Sequence, residues 1–445
     1  MIKKSFLKVL RPNVLRAERE HDYRQWWSKD QIEDYQIKKL QNLINYTYCN
    51  VPFYKELWDK YGITREVRYT DDLKRFPIVE KKDLKGAVSN FLYSKEFINN
   101  GNEKKLIWQS TTGSSGTPFR FPVNVECENK KNGVRRSLYK WYGLTPGVPW
   151  VKLWRGDIQT NFKDKFKSKL TRQFTISIYD PKFPSESLLS NLRLSEILNA
   201  INQIQPIVLD GFVSALVILA QYIRDNDFRV TRSIKSIVTG AECLTETDRD
   251  LLETVFRAKV FNRYGGTETS IIAHECGFFG EDGCRSMHVI ETRIICENID
   301  SELVLTDLDN YALPFIRYKN GDMIETCEAA DCRCGRVSLR LKTILGRTND
   351  YFITKSGAKI SSHLWQNIFK KYMFVDRYQI IQEDMNKITV NIESKGNMYE
   401  IHEFKKLQAE IHSVVPDVIF SWNQVSRITC GAGGKFRQHI CKVVV

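Results

Sequence analysis

The middle of the chain alternates between short apolar runs and helical periodicity, and this alternation restricts the fold more than any other feature. Residues 192–204 have apolar side chains at helical spacing, and residues 234–239 form a short β-branched run. Thr245, with Asp248 three residues later, is typical of a helix start. A second short strand is predicted at residues 260–262. Strand–helix–strand alternation indicates an α/β fold, with parallel or mixed sheets and helices packed on them.

The pattern changes after about residue 350. Two β-branched runs, at residues 378–381 and 388–392, precede a predicted helix at 399–413 and a final strand pair around a glycine turn. This order predicts a small α+β C-terminal domain. We therefore expect a large N-terminal domain over residues 1–346 and a small domain over residues 347–445.

Composition excludes several classes of protein. The 445 residues are 42% hydrophobic and 27% charged, which suits a large folded core. No apolar run approaches the roughly 20 residues needed to span a bilayer, and the N-terminus lacks the apolar core of a signal peptide. Eleven cysteines, unevenly placed, do not suit a disulfide framework. These features together predict a cytoplasmic protein.

The net charge of +14 raises the question of an anionic partner. Basic residues are spread along the chain and are not interleaved with aromatic residues as in a base-stacking surface, so we expect no nucleic acid partner. A solvated basic face is the simplest interpretation. The alternative is attraction of ATP, coenzyme A, an acidic polysaccharide or a membrane surface.

The segment Ser-Thr-Thr-Gly-Ser-Ser-Gly-Thr-Pro at residues 110–118 combines glycines with hydroxyl side chains. Backbone N–H groups and hydroxyls in such a loop can surround phosphate oxygens. The segment is not a Walker loop, because no Gly-Lys-Ser/Thr follows. A flexible linker has the same composition, so this motif alone leaves both interpretations open.

Three further motifs carry oxygen ligands or a cation. Tyr-Gly-Gly-Thr-Glu at residues 264–268 directly follows a predicted strand, where a tyrosine can lie against a purine and a glutamate can hold Mg²⁺. Asp322 can accept hydrogen bonds from ribose hydroxyls, and Lys435 lies in a glycine turn. Each has a simpler alternative, namely a structural turn, a turn aspartate or a solvated lysine.

The order of these motifs, with Gly-Arg-Thr-Asn-Asp at residues 346–350 between the last two, resembles the acyl-adenylate-forming superfamily. The closest resemblance is to the phenylacetate–coenzyme A ligase branch and its CapK-type relatives in capsular polysaccharide biosynthesis. The segments that carry it are residues 50–54, 76–84, 211–216, 239–242 and 332–336.

The resemblance implies a role for each matching position. Lys435, Glu268 and Thr267 are expected to be catalytic, acting with Mg²⁺ on the phosphates. The expected ATP-binding residues are Ser110, Thr111, Thr112, Gly113, Ser114, Ser115, Gly116, Thr117, Gly240, Ala241, Glu242, Tyr264, Gly265, Asp322 and Arg347. Trp154, Phe212, Val213 and Thr239 are expected to line the acid pocket, and Asp350 to serve as hinge for a mobile C-terminal domain. Relatives often carry lysine at the position of Thr117, which puts the hold on pyrophosphate in doubt.

Four residues could coordinate a metal. Cys276, His288, Cys332 and Cys334 supply the ligand types of a closed tetrahedral Zn²⁺ site, and the resemblance supports a structural zinc there. Cys284, Cys327 and His274 are alternative ligands. Free thiols are the simpler interpretation, and we assign that state to the remaining cysteines.

The predicted function is ATP-dependent activation of a carboxylic acid to acyl-AMP, followed by transfer to a thiol, amine or hydroxyl, in surface polysaccharide biosynthesis. The first alternative is an aryl- or acyl-coenzyme A ligase of small-acid metabolism. A nucleic-acid-binding protein is less favoured because it does not explain the ordered motifs. A non-catalytic scaffold relative is less favoured because Glu268, Asp322, Arg347 and Lys435 are all present.

Overall fold

The computed structural model describes the following residues: 12–85, 89–98, 105–111, 119–154, 162–178, 190–232, 234–280, 283, 285–327, 332–347, 352–353, 359–360, 365, 368–369, 371–372, 374–394, 401–415, 418–426, 428 and 439–443. They belong to two compact units. The larger is drawn from residues 1–181, 189–320 and 325–343, and the smaller from residues 182–188, 321–324 and 344–445. The predicted boundary after residue 346 stays a prediction.

Helices form the N-terminal part of the larger unit, beginning with α1 (Pro12–Arg24), α2 (Lys29–Asn50) and α3 (Pro52–Lys60). The Ser28 side chain caps α2 by accepting a hydrogen bond from the Gln31 N–H, and the Gln31 side chain accepts one from the Ser28 N–H. Pro52 starts α3 because its missing N–H is not needed in a first turn. Short helices α4 (Lys81–Lys85), α5 (Ser89–Leu92) and α6 (Lys95–Ile98) follow a 3₁₀ turn at Thr70–Arg75.

The remaining helices alternate with strands. They are α7 (Val125–Tyr139), α8 (Phe162–Thr171), α9 (Asn191–Ile204), α10 (Val213–Asp225), α11 (Glu246–Phe256) and, in the smaller unit, α12 (Ile401–Val414); a 3₁₀ turn at Lys140–Tyr142 follows α7. Thr245 caps α11 by accepting from the Asp248 N–H, as the sequence predicts. Helix α10 is apolar and buried on most of its surface because it lies within the core of the unit.

Most strands up to residue 347 join one sheet. The strands are β1 (Val79–Glu80), β2 (Leu106–Ser110), β3 (Arg120–Asn124), β4 (Trp150–Trp154), β5 (Gln173–Ser177), β6 (Val208–Phe212), β7 (Ser236–Gly240), β8 (Lys259–Gly266), β9 (Ser270–Phe279), β10 (Arg285–Val289), β11 (Ile294–Ile299), β12 (Glu302–Asp307), β13 (Tyr318–Thr326) and β14 (Arg340–Arg347). In the described part of the chain the sheet has twelve strands in the order β11-β12-β13-β14-β10-β9-β8-β7-β6-β4-β5, with β1 beside β13, while β2 and β3 form a separate hairpin.

The sheet is parallel from β5 to β8 and antiparallel from β8 to β9 and β10. The predicted strand at residues 260–262 is longer than expected: β8 continues through Gly266 because its end pairs with the start of β9. The α/β prediction with a mixed sheet and packed helices is confirmed.

The smaller unit has the strands β15 (Phe352–Ile353), β16 (Lys359–Ile360), β17 (Val375–Asp384), β18 (Lys387–Ser394), β19 (Ile419–Gln424) and β20 (His439–Cys441). The prediction that the last two strands pair with each other is wrong. The order is β19-β18-β17-β20, since β19 and β20 each add in parallel to a different strand of the central hairpin. Apolar side chains from this sheet and α12 form its core, so the predicted small α+β domain is confirmed.

Within the described ranges, the structure has no helix with both the length and the apolar character needed to cross a bilayer.

Candidate functional site

The carboxyl ends of four parallel strands bring the central predicted residues to one edge of the sheet. Trp154 ends β4, Phe212 ends β6, and Gly240 ends β7. The register aligns Phe212 with Gly240, and Gly240 with Arg263 of β8, one residue before Tyr264. Ligands of open parallel sheets bind at this edge, because the loops that leave the strands diverge there.

Two aromatic side chains predicted to contact the acid lie against each other. The rings of Trp154 and Phe212 are stacked, with centroids 4.2 Å apart and an interplanar angle of 18°. Val213 is buried as the first residue of α10. Thr239 is buried, and its hydroxyl donates to Asn262 Oδ1 at 3.2 Å; its place in the acid pocket stays a prediction. It shares its sheet face with Gly211, not with Phe212, because side chains alternate along a strand.

The Gly-Ala-Glu segment after β7 has an uncommon backbone. Ala241 has a φ of 66°, in the left-handed region that non-glycine residues rarely adopt. Glu242 Oε2 accepts a hydrogen bond of 2.7 Å from the Ser214 N–H in the first turn of α10. Its Oε1 is buried and has no hydrogen-bond partner within the described ranges. Such strain and incomplete pairing concentrate at ligand sites.

The Tyr-Gly-Gly-Thr-Glu segment comprises the last three residues of β8 and the first two residues of the turn to β9. Gly265 must be glycine, since a Cβ there would overlap the carbonyl oxygen of Ser270. The Tyr264 hydroxyl accepts a hydrogen bond of 2.9 Å from Asn320, which holds the end of the side chain in place. A Cβ on Gly266 would lie 3.2 Å from Glu268 Oε2, so the carboxylate lies over the glycine backbone.

Three basic side chains donate hydrogen bonds to this turn, and the sequence gives little indication that they do so. Lys131 donates a 2.8 Å hydrogen bond to the Glu268 carbonyl, and Arg293 donates to the Thr269 carbonyl at 3.2 Å. Arg135 donates to the Ser270 hydroxyl at 3.0 Å. Lys131 is only 2% exposed, which is rare for lysine. Its apolar neighbours in α7 were the one available signal that it faces inward.

The phosphate-loop prediction falls mostly outside the described residues. Ser110 ends β2, and Thr111 is buried beside it. The Thr111 hydroxyl accepts hydrogen bonds from Lys81 at 3.1 Å and from the Phe119 N–H at 3.0 Å. Sequence reasoning missed Lys81. The predicted residues Thr112, Gly113, Ser114, Ser115, Gly116 and Thr117 lie outside the described residues.

The remaining predicted nucleotide residues are distributed over the end of the chain. Asp322 lies within β13 and Arg347 ends β14, so Asp322 is in a strand and not in the turn that its simpler interpretation required. Asp350 and Lys435 lie outside the described residues.

Four predicted metal ligands converge in the larger unit. Cys276 of β9, His288 of β10, and Cys332 and Cys334 offer ligand atoms that all lie within 4.8 Å of one another. The Cys276 and Cys332 sulfurs are 3.6 Å apart, and the Cys334 sulfur is 3.3 Å from His288 Nε2. Tetrahedral Zn²⁺ with Zn–S bonds of about 2.3 Å requires sulfurs about 3.8 Å apart, so the residues fit this metal.

The surroundings of the cluster also suit a metal. His288 Nδ1 bonds to the Ser338 hydroxyl at 3.0 Å, which orients Nε2 toward the sulfurs. A hydrogen bond from the Cys276 thiol and the nearby His288 lower the pKa of Cys334 to about 2, so that a thiolate is available. Of the alternative ligands, His274 instead bonds to the Glu275 carbonyl, and Cys327 is not in the cluster; Cys284 lies outside the described residues.

Comparisons with known proteins agree with this architecture. Residues 352–442 match the family model of the CapK C-terminal domain. In overall fold the chain is similar to 2-hydroxyisobutyryl-CoA ligase in the postadenylation state, with a TM-score of 0.75 and 16% identity over 94% of this chain and 91% of that one. The chain therefore has the fold of this ligase.

Two curated proteins are similar to this chain in sequence. The chain is 24% identical to Protein CapK of Staphylococcus aureus over 415 residues, covering 90% of this chain and 87% of the relative. It is 25% identical to phenylacetate-coenzyme A ligase of Thermus thermophilus over 349 residues, covering 74% and 73%. These similarities agree with the resemblance to CapK and the phenylacetate–coenzyme A ligases that the sequence motifs predict.

Proposed function

We propose that this protein activates a carboxylic acid with ATP to an acyl-adenylate and transfers the acyl group to a nucleophile during surface polysaccharide biosynthesis. The observation that carries the proposal is the edge formed by β4, β6, β7 and β8. An aromatic pair, a strained Gly-Ala-Glu segment and a carboxylate over a glycine turn lie at the ends of adjacent strands there. This edge offers an apolar surface for an acid beside oxygen ligands for a nucleotide and its metal.

In this proposal, the first step is the attack of the acid on ATP. A carboxylate oxygen of the acid attacks the α-phosphorus of ATP, a P–O bond forms, and pyrophosphate leaves. Negative charge builds on the phosphate oxygens, and Lys435 with a Mg²⁺ held by Glu268 would offset it. Thr267 would contact the α-phosphate.

Other residues bind and orient the nucleotide. We assign the phosphates to residues 110–117, the adenine to Gly240, Ala241, Glu242, Tyr264 and Gly265, and the ribose to Asp322 and Arg347. Asp350 would serve as the hinge about which the C-terminal domain moves between adenylation and acyl transfer. Trp154, Phe212, Val213 and Thr239 would line the acid pocket.

We also propose a structural zinc at Cys276, His288, Cys332 and Cys334. The four ligands fill a tetrahedral shell, which leaves no position for a substrate. The metal would tie β9 and β10 to the segment around Cys332, and so its contribution is to folding and not to chemistry.

The acceptor divides the proposal into two versions. The match of residues 352–442 to the CapK C-terminal domain favours a role with surface polysaccharide, where an amine or hydroxyl would take the acyl group. Similarity to a phenylacetate-coenzyme A ligase favours the alternative, in which the thiol of coenzyme A takes it. The positive net charge suits either anionic acceptor.

Acid-dependent exchange of labelled pyrophosphate into ATP tests the first step. The assay needs purified protein, Mg²⁺ and a panel of aryl, fatty, amino and uronic acids. We expect exchange with at least one class of acid and none without acid. A matched variant, Glu268→Gln, should require more Mg²⁺ for the same rate. Absence of exchange across the panel, with ATP binding intact, would instead support a non-catalytic scaffold.

A further inference from the structure

A layer of charged side chains lies on one sheet face, next to the stacked aromatic pair. Lys152 is two residues before Trp154 on β4, and Asp210 is two residues before Phe212 on β6. The register places Lys152 directly beside Asp210. Because residues two apart on a strand share a face, the charged pair and the aromatic pair are successive layers of the same face.

Asp210 is already paired within this layer. It is fully buried, and its carboxylate accepts two hydrogen bonds from the Arg263 guanidinium, at 2.9 and 3.2 Å. This two-bond geometry uses the carboxylate efficiently. Asp210 therefore serves as the counter-charge of Arg263.

Lys152 is left with a different kind of neighbour. Its ammonium nitrogen lies 3.9 Å from the centroid of the Trp154 ring, in a cation–π contact. It forms no hydrogen bond or ion pair within the described part of the chain. Burial lowers the pKa of Lys152, against the opposing effect of Asp210. A cation that loses water without gaining a carboxylate is energetically unfavourable unless a ligand supplies the missing charge.

Around Lys152, positively charged groups outnumber negatively charged groups. The charged groups that act on it are Asp210, Arg263 and Arg135. The hydrogen bonds of the Arg135 guanidinium go to Asn132 and Ser270, which are both neutral. Lys152 and these three groups therefore amount to three cations and one carboxylate, next to the proposed acid pocket.

We propose that Lys152 binds a second anionic group of the acid substrate, and that the natural substrate is a carboxylic acid carrying a second acidic group. This proposal rests on the proposed function, because it takes the Trp154–Phe212 pair as the acid site. ATP phosphates are the other source of negative charge. We assign the ammonium to the acid because Lys152 lies on β4, whereas the proposed adenine and metal residues lie at the ends of β7 and β8.

Binding of matched acid pairs to the full-length protein tests this assignment. The probes are succinate against butyrate, glutarate against pentanoate, and terephthalate against 4-methylbenzoate, measured by titration and by thermal shift. We expect wild-type protein to bind at least one diacid about 10- to 100-fold more tightly than its monoacid, as one charged hydrogen bond allows.

Variants separate the role of Lys152 from general charge. Lys152→Met should remove the preference for the diacid, and Lys152→Arg should keep part of it. The control Lys235→Met removes an exposed lysine at the other end of β7 and should keep all of it. Equal binding of diacids and monoacids by wild-type protein, or an unchanged preference in Lys152→Met, would overturn the proposal.

Two further measurements make the outcomes distinct. Titration with ATP should give the same affinity in wild-type protein and Lys152→Met; a selective loss of ATP affinity would assign the ammonium to the nucleotide and contradict the proposal. Pyrophosphate exchange with the bound diacid tests the proposed function. Charge-selective binding without exchange would contradict the proposed function alone.

Discussion

Lys131 illustrates at the scale of one residue how a buried cation can organise the turn that is proposed to be catalytic. Its ammonium donates to the Glu268 carbonyl, so it fixes the backbone of the residue proposed to hold Mg²⁺. Lysine side chains are seldom buried, and their burial is tolerated when a partner is present.

We expect Lys131→Met to lower the free energy of unfolding by about 1–3 kcal/mol, because it leaves a buried carbonyl without a donor. The variant should also raise the Mg²⁺ concentration needed for pyrophosphate exchange. Urea unfolding and a Mg²⁺ titration of the exchange rate measure the two effects. The control Lys38→Met, on the exposed face of α2, should change neither. A stability loss without any change in Mg²⁺ dependence would limit Lys131 to a structural role.

Lys435 is the proposed counter-charge for adenylation. Lys435→Ala should leave ATP affinity nearly unchanged and slow pyrophosphate exchange by about 10²–10³-fold, because it removes a charge that acts mainly in the transition state. Lys442→Ala is a matched control, since Lys442 pairs with Glu383 at the surface. Near-normal exchange in Lys435→Ala would end this assignment.

At the scale of secondary-structure elements, the Cys/His cluster and the hydrogen bonds between strands connect the same parts of the chain. The hairpin of β9 and β10 places His288 opposite His274, two residues before Cys276, and a bridge between Gly280 and Cys332 brings the third ligand in. A metal coordinated by the four side chains would link these elements directly. Its loss should therefore weaken the packing between elements that are far apart in sequence.

Elemental analysis of chelator-washed protein should find about one zinc per chain. Cys332→Ser combined with Cys334→Ser should remove the metal and lower Tm by about 2–4 °C for each kcal/mol lost, with little change in ATP affinity. The control Cys49→Ser removes an exposed thiol and should keep the metal. Metal-free protein with an unchanged Tm would refute the structural zinc.

His439 of β20 should make the smaller unit sensitive to acid. It is buried against Phe352 and Tyr378, and burial lowers the pKa of His439 to about 3, from about 6.5 when unfolded. The unfolded state therefore binds the proton more readily, and stability is lost as the pH falls from about 6.5 toward 3, by up to about 1.4 kcal/mol per pH unit.

The substitution His439→Phe should flatten this loss, because phenylalanine cannot take up a proton. Hydrogen exchange of peptides from β17 and β18, followed at several urea concentrations between pH 4 and 7, reports on this unit in the full chain. The control His402→Phe lies at an exposed position of α12 and should leave the acid dependence unchanged. The same acid dependence in His439→Phe and wild-type protein would contradict the assignment.

At the scale of the whole molecule, the identity of the acceptor decides which product leaves the enzyme. With ATP and the cognate acid, coenzyme A and an amine are supplied in separate reactions, and AMP release is measured. In the polysaccharide version we expect the protein to stall at the acyl-adenylate with coenzyme A and to turn over with an amine or hydroxyl acceptor. Efficient AMP release with coenzyme A, and a thioester product, would establish the ligase alternative.

The sequence by itself determined the kinds of element and their order. Helical spacing, the Thr245 cap and β-branched runs are local properties, and each acts on the few residues around it. For that reason the helices α9 and α11 and the strand β7 were predictable, and so was the α/β class. The ordered motifs were equally accessible, because a family motif is itself a contiguous segment.

The tertiary structure decided which of these residues meet. Thr239 was grouped with Phe212 from the motif, but strand alternation places it on the opposite face. Lys152 and Lys131 carried almost no signal, because whether a lysine is solvated or buried depends on strands and helices that are distant in the chain. The last two strands likewise joined separate partners. Periodicity is set by neighbours in sequence, whereas register, sheet order and the balance of buried charge are set by contacts between elements that the folded chain brings together.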